Sequence, residues 1–238
     1  MMEAGEGSAG IDTFSGINTW IFDLDDTLYP RSSGLHEQMR QRVVRFIVGL
    51  MKIDPGAAEA VHVDYYTRYG STLQALVQLH GVAPVALLDF VHDIDLSALT
   101  HNQELIAALK ALPGRRVVFT NSSRRHAGAV LAAMGMTGLF DAVGSIEDGQ
   151  FIGKPQHSAY AGFLDRHGID PRSSAMFDDR VGNLTVPHDL GMRTVLVVDP
   201  LFGAAGDSEK PAYVGTVVPD LTAFLREVAE RRQSSNES

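Results

Sequence analysis

The sequence contains no cysteine, which excludes disulfides, thiolate nucleophiles and cysteine-ligated zinc while leaving the compartment open. No apolar run approaches the roughly 18 residues of a membrane span. The N-terminal segment lacks the basic start and apolar middle of a secretory signal, so a cytoplasmic protein with no membrane partner is expected. Positive charge is scarce: 20 Lys and Arg stand against 29 Asp and Glu, a formal net charge of -9. That balance disfavours a nucleic-acid polymer as partner, and an anionic substrate must find its cations locally. The nine histidines show no metal-ligand spacing and are expected to be satisfied or solvated. What is abundant is core: 45% of the 238 residues are hydrophobic and only 21% are charged, enough for one large domain or a core with an insert.

Residues 1–16 are rich in Gly, Ser, Ala and Glu without periodicity and predict a flexible leader. An apolar run then ends in Asp23-Leu-Asp25-Asp26-Thr27, and the next convincing strand, Arg116 to Thr120, begins about ninety residues later. A simple strand-helix-strand crossover needs only about thirty residues. The interval predicts helices. Met39, Val43, Phe46, Ile47 and Leu50 form a stripe at helical spacing, Asp54-Pro55 supplies a cap and a first-turn proline, and Pro84 opens another helix. Residues 31–100 are therefore expected to form a small helical domain, with 17–30 and 101–230 as the core and 231–238 as a frayed tail. Beyond Thr120 strands and helices alternate. The buried face of the first helix there is Ala127, Val130, Leu131 and Met134, and Asp220 caps the last. Such alternation predicts an α/β fold, a doubly wound parallel sheet with helices on both faces.

In an open parallel sheet ligands bind outside the carboxyl ends of the strands. Three polar clusters sit there, Asp23 to Thr27, Thr120-Asn121-Ser122 and Asp178-Asp179, and Gly153-Lys154-Pro155 precedes a helix that can bring its cation to the same edge. A purely structural reading of one such cluster is easy; four on one face favour chemistry. Crowded carboxylates raise one another's pKa unless a cation is present. A carboxylate attacking a phosphoryl group likewise meets charge repulsion, which Mg2+ relieves. Mg2+ commonly takes only one or two carboxylates, and Asp23 and Asp179 suit that role. Lys154 can offset phosphoryl charge and keep Asp23 ionised, while the Thr120 hydroxyl and the backbone N–H groups after it, from Asn121 on, can bind phosphoryl oxygens. Asp25, two residues along an extended chain, can protonate a leaving oxygen and later accept a proton from water.

In order, Asp23-Leu-Asp25-Asp-Thr27, Thr120 after an apolar strand, Lys154 and Asp178-Asp179 resemble the four motifs of the haloacid dehalogenase superfamily over residues 17–230. The resemblance implies a Rossmann-like core, a helical cap inserted after the first strand, Mg2+, and a phospho-aspartate on Asp23 with Asp25 as general acid and base. It further implies metal contacts from the Asp25 backbone carbonyl, from Asp179 directly and from Asp178 through water. Within the superfamily, Phe22 to Tyr29, Phe119-Thr-Asn-Ser122 with Arg125-His-Ala127 behind it, and Tyr65-Tyr66 with Tyr69-Gly70 resemble the pyrimidine 5'-nucleotidase group. Gly182 departs from the pattern, which carries Arg before Asn183; Asn183 is expected to orient the acidic loop.

The resulting expectation is a Mg2+-dependent phosphatase for a small phosphorylated metabolite, with a pyrimidine nucleoside 5'-monophosphate favoured. Sugar-phosphate or phosphoglycolate phosphatases and a phosphomutase share the four motifs. A true dehalogenase would lack Asp25, because its halide leaves without a proton. A non-catalytic phospho-ligand or protein-binding module is the alternative from another class. Tyr29, His36, Tyr66 and Arg68 are the insert-side residues that could meet an organic leaving group, although tyrosines at helical spacing also suit a core. Arg124 and Arg125 suit a solvated face, and His92-Asp-Ile-Asp95 reads as a polar helix end.

Overall fold

The computed structural model describes residues 14–202 and 210–236. Six parallel strands form one sheet: β1 (Thr19–Phe22), β2 (Arg115–Phe119), β3 (Ala142–Gly144), β4 (Ser174–Asp178), β5 (Arg193–Val197) and β6 (Thr216–Val218). Their spatial order is β3-β2-β1-β4-β5-β6. β1 lies centrally, with Phe22 level with Val118 on one side and Phe177 on the other. The chain builds outward from β1 through β2 to β3, then returns to place β4 on its other flank. The reversal leaves a crevice between β1 and β4 at their carboxyl ends, the usual ligand position in such sheets.

Strands covered on both faces are apolar throughout, and here their side chains alternate between two cores. Trp20, Phe22, Val118, Phe177 and Val195 face one cluster, closed by helices α5 (Gln103–Ala111), α6 (Arg124–Ala133) and α9 (Leu221–Asn236). Ile21, Val117, Phe119, Met176 and Leu196 face the other, closed by Tyr160, Phe163 and Leu164 of α7 (His157–His167) and by Val186 of α8 (Thr185–Asp189). Each strand end is thereby clamped from above and below, so the polar residues that follow are fixed in position.

Four helices intervene between β1 and α5: α1 (Leu35–Met51), α2 (Pro55–Tyr69), α3 (Thr72–His80) and α4 (Pro84–Val91). They pack around Ile47, Ala58, Leu76, Leu87 and Val91, a third cluster separate from the two sheet cores. Asp54 caps α2 by accepting from the N–H groups of Gly56 and Ala57, with Pro55 in the first turn. Leu50, read as part of the buried stripe of α1, is instead 39% exposed, and its neighbour Met51 packs against the cluster at the end of that helix.

The first 13 residues of the expected leader lie outside the described residues. Its remainder is anchored: Phe14 is buried, stacked on Trp20 and edge-on to Phe224 of α9. The expected tail is helical as far as Asn236, and Arg232 donates to the carbonyls of Phe14 and Ile17. Among the described residues no helix is long and apolar enough to cross a membrane.

Candidate active site

The four polar clusters meet at the crevice. Asp23 follows β1 directly, its N–H bonded to the carbonyl of Phe177 in β4, so the nucleophile candidate is pinned between the two strands that flank the switch point. The Lys154 ammonium donates to Asp23 Oδ1 and to Asp178 Oδ2, both at 2.7 Å. All three side chains are nearly inaccessible. Two carboxylates sharing one ammonium leave a net negative charge in a buried place, and Asp179 adds to it. One oxygen from each of Asp23, Asp178 and Asp179 lies within 4.8 Å of the others. Burial pushes the carboxyl groups of Asp23 and Asp179 well above the usual range, and neighbouring carboxylates add to this while Lys154 opposes it.

The three acids are not equivalent. Asp178 has both oxygens occupied: Oδ2 accepts from Lys154, and Oδ1 accepts from Asn183 Nδ2 and the Arg180 N–H, each at 2.9 Å. Asn183 is held in turn by its own carbonyl, which accepts from the Tyr160 hydroxyl at 2.5 Å. It orients the acidic loop, as the sequence suggests, and Gly182 faces open space. Asp179 meets no hydrogen-bond donor among the described residues. A half-buried carboxylate lacking donors, grouped with Asp23, whose Oδ2 meets only the Thr27 hydroxyl at 3.4 Å, is a hard-oxygen set of the kind that Mg2+ accepts, so the residues fit the expected ion.

Lys154 is placed by a bracket. Asn121 accepts from the Lys154 N–H at 2.8 Å and donates from its amide to the Lys154 carbonyl at 2.9 Å. Its side chain is therefore committed, and the phosphate contact expected of Asn121 falls to its backbone N–H, which has no acceptor among the described residues. Thr120 Oγ1 is buried and accepts from the Ser122 N–H at 2.9 Å.

Asp25 stands apart from the ammonium and has its own donors. Tyr29 Oη and His126 Nε2 reach Oδ1 at 2.5 and 2.8 Å, and Ser122 Oγ reaches Oδ2 at 2.5 Å. Burial opposes charge on Asp25, but the hydrogen bonds from His126, Ser122 and Tyr29 together outweigh it and hold the carboxyl below the usual carboxylate range. His126, expected to be an ordinary satisfied histidine, is 2% exposed and touches the site. His92 is a second departure. It ends α4 as the sequence suggests, yet its ring stacks on that of His126 with centroids 4.3 Å apart, and its Nδ1 lies 2.9 Å from Ser123 Oγ. Burial and the nearby His126 lower its pKa to about 3, so it is neutral at ordinary pH.

Of the insert-side candidates, Tyr29 is at the site and Tyr66 reaches its rim, where the Arg180 guanidinium lies 4.8 Å from the ring. His36 Nδ1 pairs with Asp26 Oδ2 at 3.1 Å at the base of α1. Arg68 is bound to Asp64 on its own helix and is 62% exposed there. A cleft of about 100 Å³ opens beside Lys154 between insert and core, lined by Tyr69, Ser71, Gln74, Asn121 and Gln156 among others. Arg124 and Arg125 pair with Asp148 and Asp89 on the surface, as a solvated face would.

A model of the haloacid dehalogenase-like hydrolase family matches residues 17–187. The chain belongs to that family. It is 26% identical over 194 residues to phosphate metabolism protein 8 of Saccharomyces cerevisiae, covering 74% of this chain and spanning 60% of the yeast protein. It is 25% identical over 221 residues to glyceraldehyde 3-phosphate phosphatase of Methanocaldococcus jannaschii, covering 87% of this chain and 96% of the relative. Among solved structures, the HAD phosphatase of Thermococcus onnurineus superposes with a TM-score of 0.60 at 16% identity, over 89% of this chain and 97% of that one. A β-phosphoglucomutase from Clostridium difficile gives 0.57 at 16% identity, over 92% and 99%. At those identities the likeness concerns the fold.

Proposed function

We propose that this hydrolase is a Mg2+-dependent phosphatase of small phosphate monoesters, acting through a phospho-aspartate on Asp23, with a pyrimidine nucleoside 5'-monophosphate as favoured substrate. One observation carries the reading: Asp23 shares Lys154 with Asp178 and borders an unpartnered Asp179, while Asp25, two residues on, has a separate set of donors. Asp23 and Asp179 would hold Mg2+, with the Asp25 carbonyl and, through water, Asp178 completing its surroundings. The ion's contribution is to neutralise charge between the attacking carboxylate and the phosphoryl oxygens.

The chain's own groups do the rest. An Asp23 oxygen attacks phosphorus and the bond to the leaving oxygen breaks. Lys154 favours the ionised form of Asp23 against burial and offsets phosphoryl charge, and the Thr120 hydroxyl and Asn121 N–H bind phosphoryl oxygens. Asp25 gives its proton to the leaving oxygen. Three donors favour the carboxylate form in the free protein, so Asp25 acquires that proton as the anionic ester arrives and raises its proton affinity. Water then attacks the phospho-aspartate, Asp25 takes the proton released, and Asp23 is freed with inorganic phosphate. A halide leaving group would need no such acid, which supports phosphate esters over haloacids.

The cleft supports the substrate preference. Its charged lining residue is Lys154, already bound to two carboxylates, whereas Tyr69, Ser71, Gln74 and Gln156 offer neutral hydrogen-bonding groups. A nucleoside matches such a lining; a second phosphate or a carboxylate has no counter-charge there. The test is phosphate release from pyrimidine and purine 5'-monophosphates, sugar phosphates and phosphoglycolate, with Mg2+ and with chelator. Metal-dependent release concentrated on pyrimidine monophosphates is expected. Preference for phosphoglycolate or sugar phosphates would discard the nucleotide assignment.

A further inference from the structure

The four superfamily motifs account for Asp25 but give no role to the histidine that lies behind it. His126 comes from the first turn of α6, 101 residues away in sequence, and fills a buried place at the end of β1. Its position is fixed from three sides. Its backbone N–H donates to Ser123 Oγ, the cap of α6, at 3.2 Å. Its Nε2 lies 2.8 Å from Asp25 Oδ1. Its ring face is covered by His92 at an interplanar angle of 21°, and His92 is itself tied to Ser123 Oγ, so one serine hydroxyl holds both the His126 backbone and the His92 ring.

Such a construction is more than packing requires. An apolar residue would fill the place without burying a second ring nitrogen, and burying polar groups costs free energy unless each finds a partner. The partner here is the carboxylate oxygen that Tyr29 also contacts, while Ser122 holds the other oxygen. Asp25 is thus gripped on both oxygens and cannot rotate about its terminal bond without losing a donor. His92 terminates α4, the last helix of the insert. The grip on Asp25 is therefore continuous with the way the insert is seated on the core.

Resting on the phosphatase reading above, we propose that His126 is a positioning residue for the general acid, and that His92 holds its ring in the plane this requires. Its contribution falls on the step in which the leaving oxygen is protonated and not on substrate binding. A misplacement of about 1 Å in such a group can cost about a hundredfold in rate.

The test compares two polar replacements of similar bulk in the full chain saturated with Mg2+. In His126→Gln the side-chain amide nitrogen falls near the lost Nε2, whereas in His126→Asn it falls short of Asp25. Each is assayed with 4-nitrophenyl phosphate, whose phenolate leaves without help, and with a simple alkyl phosphate, whose alkoxide does not. His126→Asn should lose about a hundredfold in kcat on the alkyl ester and less than about threefold on the aryl ester, with KM unchanged on both, the selectivity expected also of Asp25→Asn. His126→Gln should recover most of the alkyl-ester loss, and His92→Phe, which keeps the stack but not the Ser123 contact, should show a smaller loss of the same selectivity. Equal losses on the two esters, a change confined to KM, or no difference between Gln and Asn would overturn the inference. Failure of the unsubstituted protein to release phosphate from either ester would instead overturn the phosphatase reading and this inference with it.

Discussion

Lys154 is the residue on which the electrostatics of the site turn. It is nearly inaccessible and is the shared partner of Asp23 and Asp178. Removing one member of a buried ion pair leaves uncompensated charge, typically at a cost of about 3–5 kcal/mol. Lys154→Met should therefore lower the stability of the metal-free protein by about that amount near pH 8. The loss should shrink toward about pH 5, because burial raises the Asp23 carboxyl to about 7, so at the lower pH it is protonated and has no charge left to compensate. Urea unfolding in chelator at the two pH values reads this directly. A loss independent of pH would mean that Lys154 acts through packing. At the same scale the sequence was informative about Asp23, Asp25, Thr120 and Asp178-Asp179, because each ends or adjoins an apolar run, where a polar residue needs a reason, and about Lys154, because it stands just before a helix that can carry it to the same edge. His126 was harder to see. It continues the buried stripe of α6, one turn before Val130, and that periodicity was the available sign that it points inward. What it touches lies a hundred residues away, and a single sequence carries no distance information across that span.

At the scale of the element, loops between strand and helix fix the site with little latitude. Gly153 shows how. A Cβ there would lie 2.4 Å from Asn121 Oδ1 and 2.7 Å from the Ile146 side chain. Glycine is what lets the loop close onto Asn121, which brackets Lys154 by both backbone groups. Gly153→Ala should push the two segments apart, displace the ammonium and reduce kcat by about tenfold to a hundredfold. Circular dichroism should stay unchanged, and an alanine variant with undiminished kcat would show that the bracket is not needed. The helix starts at Asp54-Pro55 and Pro84 were legible because capping and first-turn prolines are local chemistry. The role of the α2–α3 turn was not. Tyr69, Ser71 and Gln74 line the cleft only because the four insert helices pack as they do, whereas Arg68, one residue earlier, is turned outward to Asp64. Neighbours on a helix point about 100° apart, and composition alone does not say which of them faces the core domain.

At the scale of the whole molecule, sheet order decides where chemistry can happen. β1 is central, β2 and β4 flank it, and the reversal between them brings residues 23, 120, 154 and 178 to one edge. The alternating pattern of strands and helices was enough to foresee this, since parallel crossovers allow few arrangements. The long gap after β1 was likewise enough to foresee a helical insert. Its seating on the core was not, and that seating supplies His92 to His126 and Tyr69 to the cleft. The central claim is that Asp23 is a nucleophile toward phosphorus in a Mg2+-dependent reaction. The most direct measurement is phosphate release by the unsubstituted protein and by Asp23→Asn, side by side, with Mg2+ and with chelator. The account predicts turnover only for the unsubstituted protein with Mg2+, and thermal unfolding of the variant as cooperative as that of its parent. Sustained turnover by folded Asp23→Asn, or turnover undiminished by chelator, would contradict it.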